Sequence, residues 1–150
     1  VKPALALSLH TTDAELRRRL LPKAPDIAPD ELVELGEAYA RRTGYPIQYQ
    51  WTLLEGINDT DAEVDGIERL LAGKFAVMNL IPYNSVEGVE GFDLRRPSWE
   101  RAAEMARSLH RRGVLTKLRH SAGQDVEGGC GQLRARALGV AVGFSPAGLP

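Results

Sequence analysis

Cysteine is almost missing: Cys130 is the only one in 150 residues. One thiol excludes an internal disulfide framework, and it cannot alone supply the thiolates of a zinc or iron–sulfur site. A reducing, cytoplasmic setting is the simplest expectation. The chain has no signal peptide and no apolar stretch of the ~18 residues a membrane span requires, so no membrane partner is expected. It also lacks a Gly-x-Ser-x-Gly elbow, which argues against hydrolase chemistry. No Gly-rich phosphate loop follows the first strand-like run, which argues against a dinucleotide-binding unit. Neither His110 nor His120 has a carboxylate at metal-ligand spacing, and no metal site is assigned to the chain. The formal net charge of -1 excludes a uniformly basic nucleic-acid coat but leaves room for local patches. An initial methionine is absent too: Val1-Lys2-Pro3 leads directly into a strand-like run, the opening expected of a fragment.

What is present is ordinary for a soluble domain, with 43% apolar and 26% charged residues. Leu5 to Leu9 reads as a buried strand, followed by Thr12-Asp13-Ala14-Glu15, a capping box in which Thr12 is the expected N-cap. Pro29-Asp30-Glu31 opens a second helix with Leu32, Leu35 and Tyr39 on one face, and Gly44 is placed to end it. Ile47, Tyr49, Trp51 and Leu53 then alternate with Gln48, Gln50 and Thr52, a strand period. The cycle repeats through the box Thr60-Asp61-Ala62-Glu63, the stripe Val64, Ile67, Leu70 and Leu71, and a strand over Phe75 to Ile81. A last helix opens at Pro97-Ser98 with Trp99, Ala102, Ala103, Ala106 and Leu109 on its buried side, before a strand over Val114 to Arg119. Strands alternating with helices predict an α/β fold with a parallel sheet, and an incomplete (β/α) barrel accounts for the polar residues at strand C-terminal ends. Those are Ser8 and His10, Glu55 and Asn58, Asn79 and Asn84, and Arg119 and His120.

Cys130 lies in Gly128-Gly129-Cys130-Gly131-Gln132-Leu133, where glycines let the backbone bring another molecule close to the sulfur. Asp125 and Glu127 beside it would raise the thiol's pKa unless Arg119 and Arg134 oppose them. The acidic group Asp59, Asp61, Glu63 and Asp65 has the spacing of a solvated helix start and reads as structural. Two basic patches stand out, Arg17-Arg18-Arg19 and the run from Arg107 through Arg111, Arg112, Lys117 and Arg119 to Arg134 and Arg136.

Five strings carry a resemblance: Leu5-Ala6-Leu7-Ser8-Leu9-His10, Glu15-Leu16-Arg17, Leu53-Leu54-Glu55-Gly56-Ile57-Asn58-Asp59, Asn79-Leu80-Ile81-Pro82-Tyr83-Asn84 and Cys130-Gly131-Gln132-Leu133. In this order, spanning about residues 4 to 134, they resemble the C-terminal half of the radical S-adenosylmethionine methyltransferases. That family methylates C2 of an adenosine in 23S ribosomal RNA and in some transfer RNAs, and a close branch methylates C8. The resemblance implies the C-terminal half of a partial TIM-type barrel over 1–136, with a methyl-carrier loop near 119–134 and an apolar Gly/Pro-containing tail over 137–150. It implies S-adenosylmethionine contacts at Ser8, Leu9, His10 and Asn84, and a methyl-carrying thioether at Cys130. It further implies an RNA partner, a role in RNA processing, a 4Fe-4S cluster whose ligands lie upstream, and the missing N-terminal half of the same enzyme.

Three departures accompany it. The cluster-binding cysteines, the glycine–glutamate motif and the resolving cysteine are absent, so the chain alone is not expected to be active. Ala122 stands where the C2 enzymes typically carry arginine, and Gly128-Gly129 replace the usual Ala-Ala. The competing readings are a non-catalytic RNA-binding or assembly remnant of such an enzyme, and a cysteine-dependent barrel enzyme with Cys130 as nucleophile and His10 or His120 as base.

Overall fold

The computed structural model describes residues 4–84, 94–119 and 145–146. Cys130, His120, Arg134 and Arg136 therefore lie outside the described residues, as do Asp125, Glu127 and the other residues of the Cys130 loop beyond Arg119. In chain order the elements are β1 (Leu5–Ser8), α1 (Ala14–Leu20), α2 (Pro29–Thr43), β2 (Ile47–Leu53), α3 (Asp61–Leu71), β3 (Ala76–Pro82), α4 (Trp99–Arg111), β4 (Thr116–Leu118) and β5 (Ser145–Pro146).

The sheet order is β4-β3-β2-β1-β5, and β1 to β4 are parallel. Each of these strands lies beside its predecessor, and α2, α3 and α4 bury their apolar residues in one shared core cluster with the sheet. That is the single winding direction of a partial (β/α) barrel; a doubly wound sheet reverses strand order and carries helices on both faces. β5 is an addition to the expected pattern: Ser145 and Pro146, in the segment read as a tail, pair antiparallel with Ala6 and Leu5.

The alternation in β2 decides which face is which. Ile47, Tyr49, Trp51 and Leu53 are buried with Leu7, Leu9, Met78 and Leu80 against Leu32, Val64, Ile67, Met105 and Leu109 of the helices. Gln48, Gln50 and Thr52 consequently face the other way. The register then aligns one polar row across four strands, Ser8 opposite Gln50, Gln50 opposite Asn79, and Asn79 opposite Lys117.

Local details differ from the expectations in three places. The N-cap of α1 is Asp13, whose side chain accepts from the backbone N–H groups of Glu15 and Leu16, because Thr12 is engaged elsewhere. In α2 the buried face is Leu32, Val33, Gly36 and Ala40, while Leu35 is 55% exposed. In α4 the buried side is Ala102, Met105 and Leu109, while Trp99, the first residue of the helix, is 48% exposed. Gly44, Gly73 and Gly113 follow α2, α3 and α4 with positive φ, as the sequence pattern requires of helix-ending glycines.

Candidate functional site

Of the polar residues that the sequence places after the strands, Asn58 meets His10 on the chain segment leaving β1. His10 has φ 62, a left-handed backbone conformation that is uncommon for a side-chain-bearing residue and must be imposed by its surroundings. Asn58 imposes much of it. Its Nδ2 donates to the carbonyls of His10 at 2.7 Å and Thr52 at 2.8 Å, and its Oδ1 accepts from the N–H of Leu54 at 2.8 Å. The buried Asn58 amide thus joins the end of β1 to the end of β2, and Trp51 Nε1 donates to the Asn58 carbonyl at 3.3 Å.

The His10 imidazole is fully buried, and its Nδ1 lies 3.0 Å from the N–H of Thr52. A backbone N–H can only donate, so Nδ1 is the acceptor and the ring is neutral with its proton on Nε2. In this tautomer His10 presents a donor, which does not suit the role of base to a cysteine.

Glu63 holds the next two residues. Its carboxylate accepts from the Thr11 hydroxyl, from the Thr12 N–H at 2.9 Å and from the Thr12 hydroxyl at 2.7 Å. Thr60 caps α3 by accepting from the Glu63 N–H, but the Glu63 side chain spans to the neighbouring β/α unit instead of turning back to its own helix end. Gly66 allows this contact, since a Cβ there would lie 2.9 Å from the Thr12 Cβ. The acidic group was expected to be a solvated helix start; Asp61 and Asp65 are exposed, but Asp59 and Glu63 are buried because they bond backbone and hydroxyl groups of neighbouring loops. Asp59 accepts from the Gly56 N–H, Asp61 pairs with Arg101 at 3.0 Å, and Asp65 pairs with Arg112 at 2.6 Å.

Arg17 supports β1 from below. It is 6% exposed and donates to the carbonyls of Ser8 at 2.8 Å, Leu9 at 3.3 Å and Ile27 at 3.4 Å, and burial lowers its pKa. It belongs to a structural frame rather than to a basic patch. A cleft of about 250 Å³ beside it, lined by Arg18, Leu21, Pro22 and Pro25 among others, is smaller than the ~300 Å³ at which ligand pockets begin.

The structure places the four candidate cofactor contacts in different settings. Ser8 is buried at the end of β1, in the polar row. Leu9 sends its side chain into the helix-side core, its N–H donates to Gln50, and its carbonyl accepts from Thr11 and Arg17. His10 is held as described. Asn84 is half-buried after β3, and its Oδ1 accepts from Arg96 Nη2 at 2.5 Å while Arg96 Nε donates to the Tyr83 carbonyl. Asn79 was read as a strand-end polar residue, whereas Gln50, which joins it and Ser8 in one row, was visible only as the polar half of an alternation; strand register is what assembles them. Asn79 also donates to Gln48 at 3.1 Å. Among the described residues no group of three or more His, Cys, Asp and Glu side chains could hold a metal ion. No helix among them is long and apolar enough to cross a membrane.

Comparison with known proteins gives a consistent picture. No protein-family model matches the chain. It is 82% identical over 141 residues to a protein of Thiobacillus denitrificans named "Probable RNA methyltransferase", covering 94% of this chain and 38% of that protein. Proteins of the same description from Methylibium petroleiphilum and Pseudomonas aeruginosa are 73% and 74% identical, covering 94% and 91% of this chain and 39% of each relative. The chain thus spans 38% to 39% of the length of these relatives. A solved radical SAM methyltransferase from Sphaerobacter thermophilus superposes with TM-score 0.73 at 33% identity, covering 85% of this chain and 36% of that one. A domain of a pyruvate-formate lyase-activating enzyme from Bacteroides vulgatus shares the fold at 16% identity and TM-score 0.58, covering 77% of this chain and 66% of that one.

Proposed function

We propose that the chain is the C-terminal part of an RNA methyltransferase that uses radical S-adenosylmethionine chemistry on a ring carbon, C2 or C8, of an adenosine in 23S ribosomal RNA or transfer RNA. The observation that carries this reading is the immobilised end of β1. A strained His10 backbone, fixed by Asn58, Glu63 and the Thr52 N–H, borders a polar row on the sheet face turned away from the helices. Rigid strand-end geometry of this kind is what a barrel enzyme needs to orient reacting groups. The high identity to proteins named RNA methyltransferases and the 33% identity to a solved radical SAM methyltransferase support the same reading.

The residues present fit S-adenosylmethionine. A ligand with an amino-acid end and a nucleoside needs donors and acceptors on one face, and Ser8, Gln50 and Asn79 carry hydroxyl and amide groups in register on one sheet face. Ser8, His10 and Asn84 would hold it, with Leu9 fixing the turn between the first two. S-adenosylmethionine supplies the methyl group and, when cleaved reductively, the radical. Cys130 is the residue assigned to take up the methyl as a thioether. The protein's task on the described side is to keep the β1 end rigid and to exclude freedom from the site.

A 4Fe-4S cluster does not fit this chain, since one cysteine cannot ligate it. Its ligands, and the resolving cysteine, belong to sequence outside this chain, and no step through the cluster is assigned to the residues described.

Peptide mass spectrometry across Asp125 to Arg134 of the active protein tests the reading. A methyl thioether on Cys130, and loss of RNA methylation in Cys130→Ala, are the expected results. A free thiol on Cys130 in fully active protein refutes it.

A further inference from the structure

The polar row ends on the edge strand in two cations that nothing in the described fold employs. Lys117 is in register with Asn79, so its side chain shares the face of Ser8, Gln50 and Asn79. Arg119 lies two residues on, its N–H donating to the Leu80 carbonyl at 2.8 Å, and so continues the same face one step nearer the strand C-terminal end. Both are exposed. Six other cations are paired, whereas Arg107 and Arg111, likewise without a carboxylate among the described residues, lie on α4 on the far side of the sheet. Arg18, Arg41, Arg69, Lys74, Arg101 and Arg112 each meet a carboxylate within 3.7 Å. Lys117 and Arg119 meet none among the described residues.

We infer that Lys117 and Arg119 form a phosphate-binding pair that takes the sugar–phosphate backbone of the RNA beside the site. The inference rests on the RNA methyltransferase reading and adds to it where the nucleic acid lies. Strand geometry puts the two Cα atoms about 6.6 Å apart, a step that successive phosphates of an extended single strand can follow. A target base must leave its stack to reach a barrel mouth, so the neighbouring backbone is presented as single strand, and contacts to it position without reading sequence. Register sets the pair directly beside Asn79, at the open margin of the row, where a flipped base would enter. An edge-strand lysine can also serve merely to discourage pairing with another sheet, and that role makes a different prediction.

The test measures binding of a fluorescein-labelled single-stranded RNA, carrying the adenosine substrate, to the full-length protein across salt concentrations. Each cation that neutralises a phosphate of a single strand contributes about 0.7 to the slope of log affinity against log salt. Lys117→Gln and Arg119→Gln should each flatten the slope by about 0.7, and the double variant by about 1.4, with equal losses for unrelated RNA sequences. Arg107→Gln and Arg111→Gln remove two exposed cations from α4, on the opposite side of the sheet, and should leave the slope unchanged. An unaltered slope in the Lys117→Gln/Arg119→Gln protein, with an unaltered thermal melt, overturns the inference and leaves an edge guard. Weaker S-adenosylmethionine binding with an unaltered RNA slope also overturns it, because the cofactor carboxylate would then be the occupant. If the unsubstituted protein binds RNA without salt dependence, the RNA reading itself fails and this inference with it.

Discussion

Glu63 and Thr12, 51 residues apart in sequence, are joined by two hydrogen bonds, from the Thr12 N–H at 2.9 Å and from its hydroxyl at 2.7 Å. The contact ties the first turn of α3 to the loop between β1 and α1. It fixes the exit of β1 from outside, as Asn58 fixes it from within. Adjacent β/α units are thereby locked at the edge of the sheet that carries the site.

Glu63→Ala should destabilise the protein by about 3 kcal/mol, since it strands the two hydroxyls and one N–H that the carboxylate now satisfies. Glu63→Gln should cost less, because one carbonyl oxygen still accepts while the amide NH2 confronts donors. Urea unfolding orders the variants; equal stability of all three proteins would show that the loop is held without Glu63.

Gly36 in α2 faces the hydroxyl of the buried Tyr49, and a Cβ there would overlap that oxygen while touching Ile47 Cγ1 at 3.4 Å and Leu7 Cδ1 at 3.5 Å. Gly36→Ala gains about 1 kcal/mol of helix propensity and loses about 1–3 kcal/mol to overpacking, so the net effect should be destabilising. Tyr49→Phe removes the obstructing oxygen. Gly36→Ala made in that background should therefore be neutral or stabilising, and a double-mutant cycle without a coupling energy would contradict this packing.

The Tyr49 hydroxyl is pushed above its ordinary value by burial first, then by the charges of Glu37 and Glu34. The sign follows from linkage: the unfolded chain ionises at pH ~10 while the folded one stays neutral, so the stabilisation is full below that pH and is lost as pH rises above it. The melting temperature should fall beyond pH ~10, and less steeply in Tyr49→Phe. Identical alkaline limbs would remove Tyr49 as the cause.

Much of this architecture was legible in residue patterns because it is local. The alternation from Ile47 to Leu53 fixed a two-faced strand, and glycines 44, 73 and 113 ended helices as their positive φ permits. Misreadings arose where a side chain serves a distant element. Thr12 and Glu63 each sit in an apparent capping box, yet they bond to one another, so Asp13 caps α1. Met105 was missed on the buried side of α4, and Trp99 was wrongly placed there, because apolar character alone does not tell which residues of a helix its neighbours cover. The polar row needed register, which no single strand encodes: Ser8, Gln50, Asn79 and Lys117 come from four strands.

Arg17 provides the last test, because its role is easily mistaken for charge. Its guanidinium reaches three carbonyls, those of Ser8, Leu9 and Ile27, with no carboxylate among the described residues bonded to it, and burial opposes its charge. What recommends arginine there is the fork of donors, which a lysine ammonium cannot spread over three acceptors. Arg17→Lys should thus destabilise by about 2 kcal/mol despite keeping the charge, and should weaken S-adenosylmethionine binding by loosening the Ser8 end of β1. Arg17→Met removes the buried charge and its desolvation cost but strands the carbonyls. If Met matches the native protein in both stability and cofactor affinity, the fork contributes nothing to the site; if Lys and Met are both impaired, geometry rather than charge is what β1 requires.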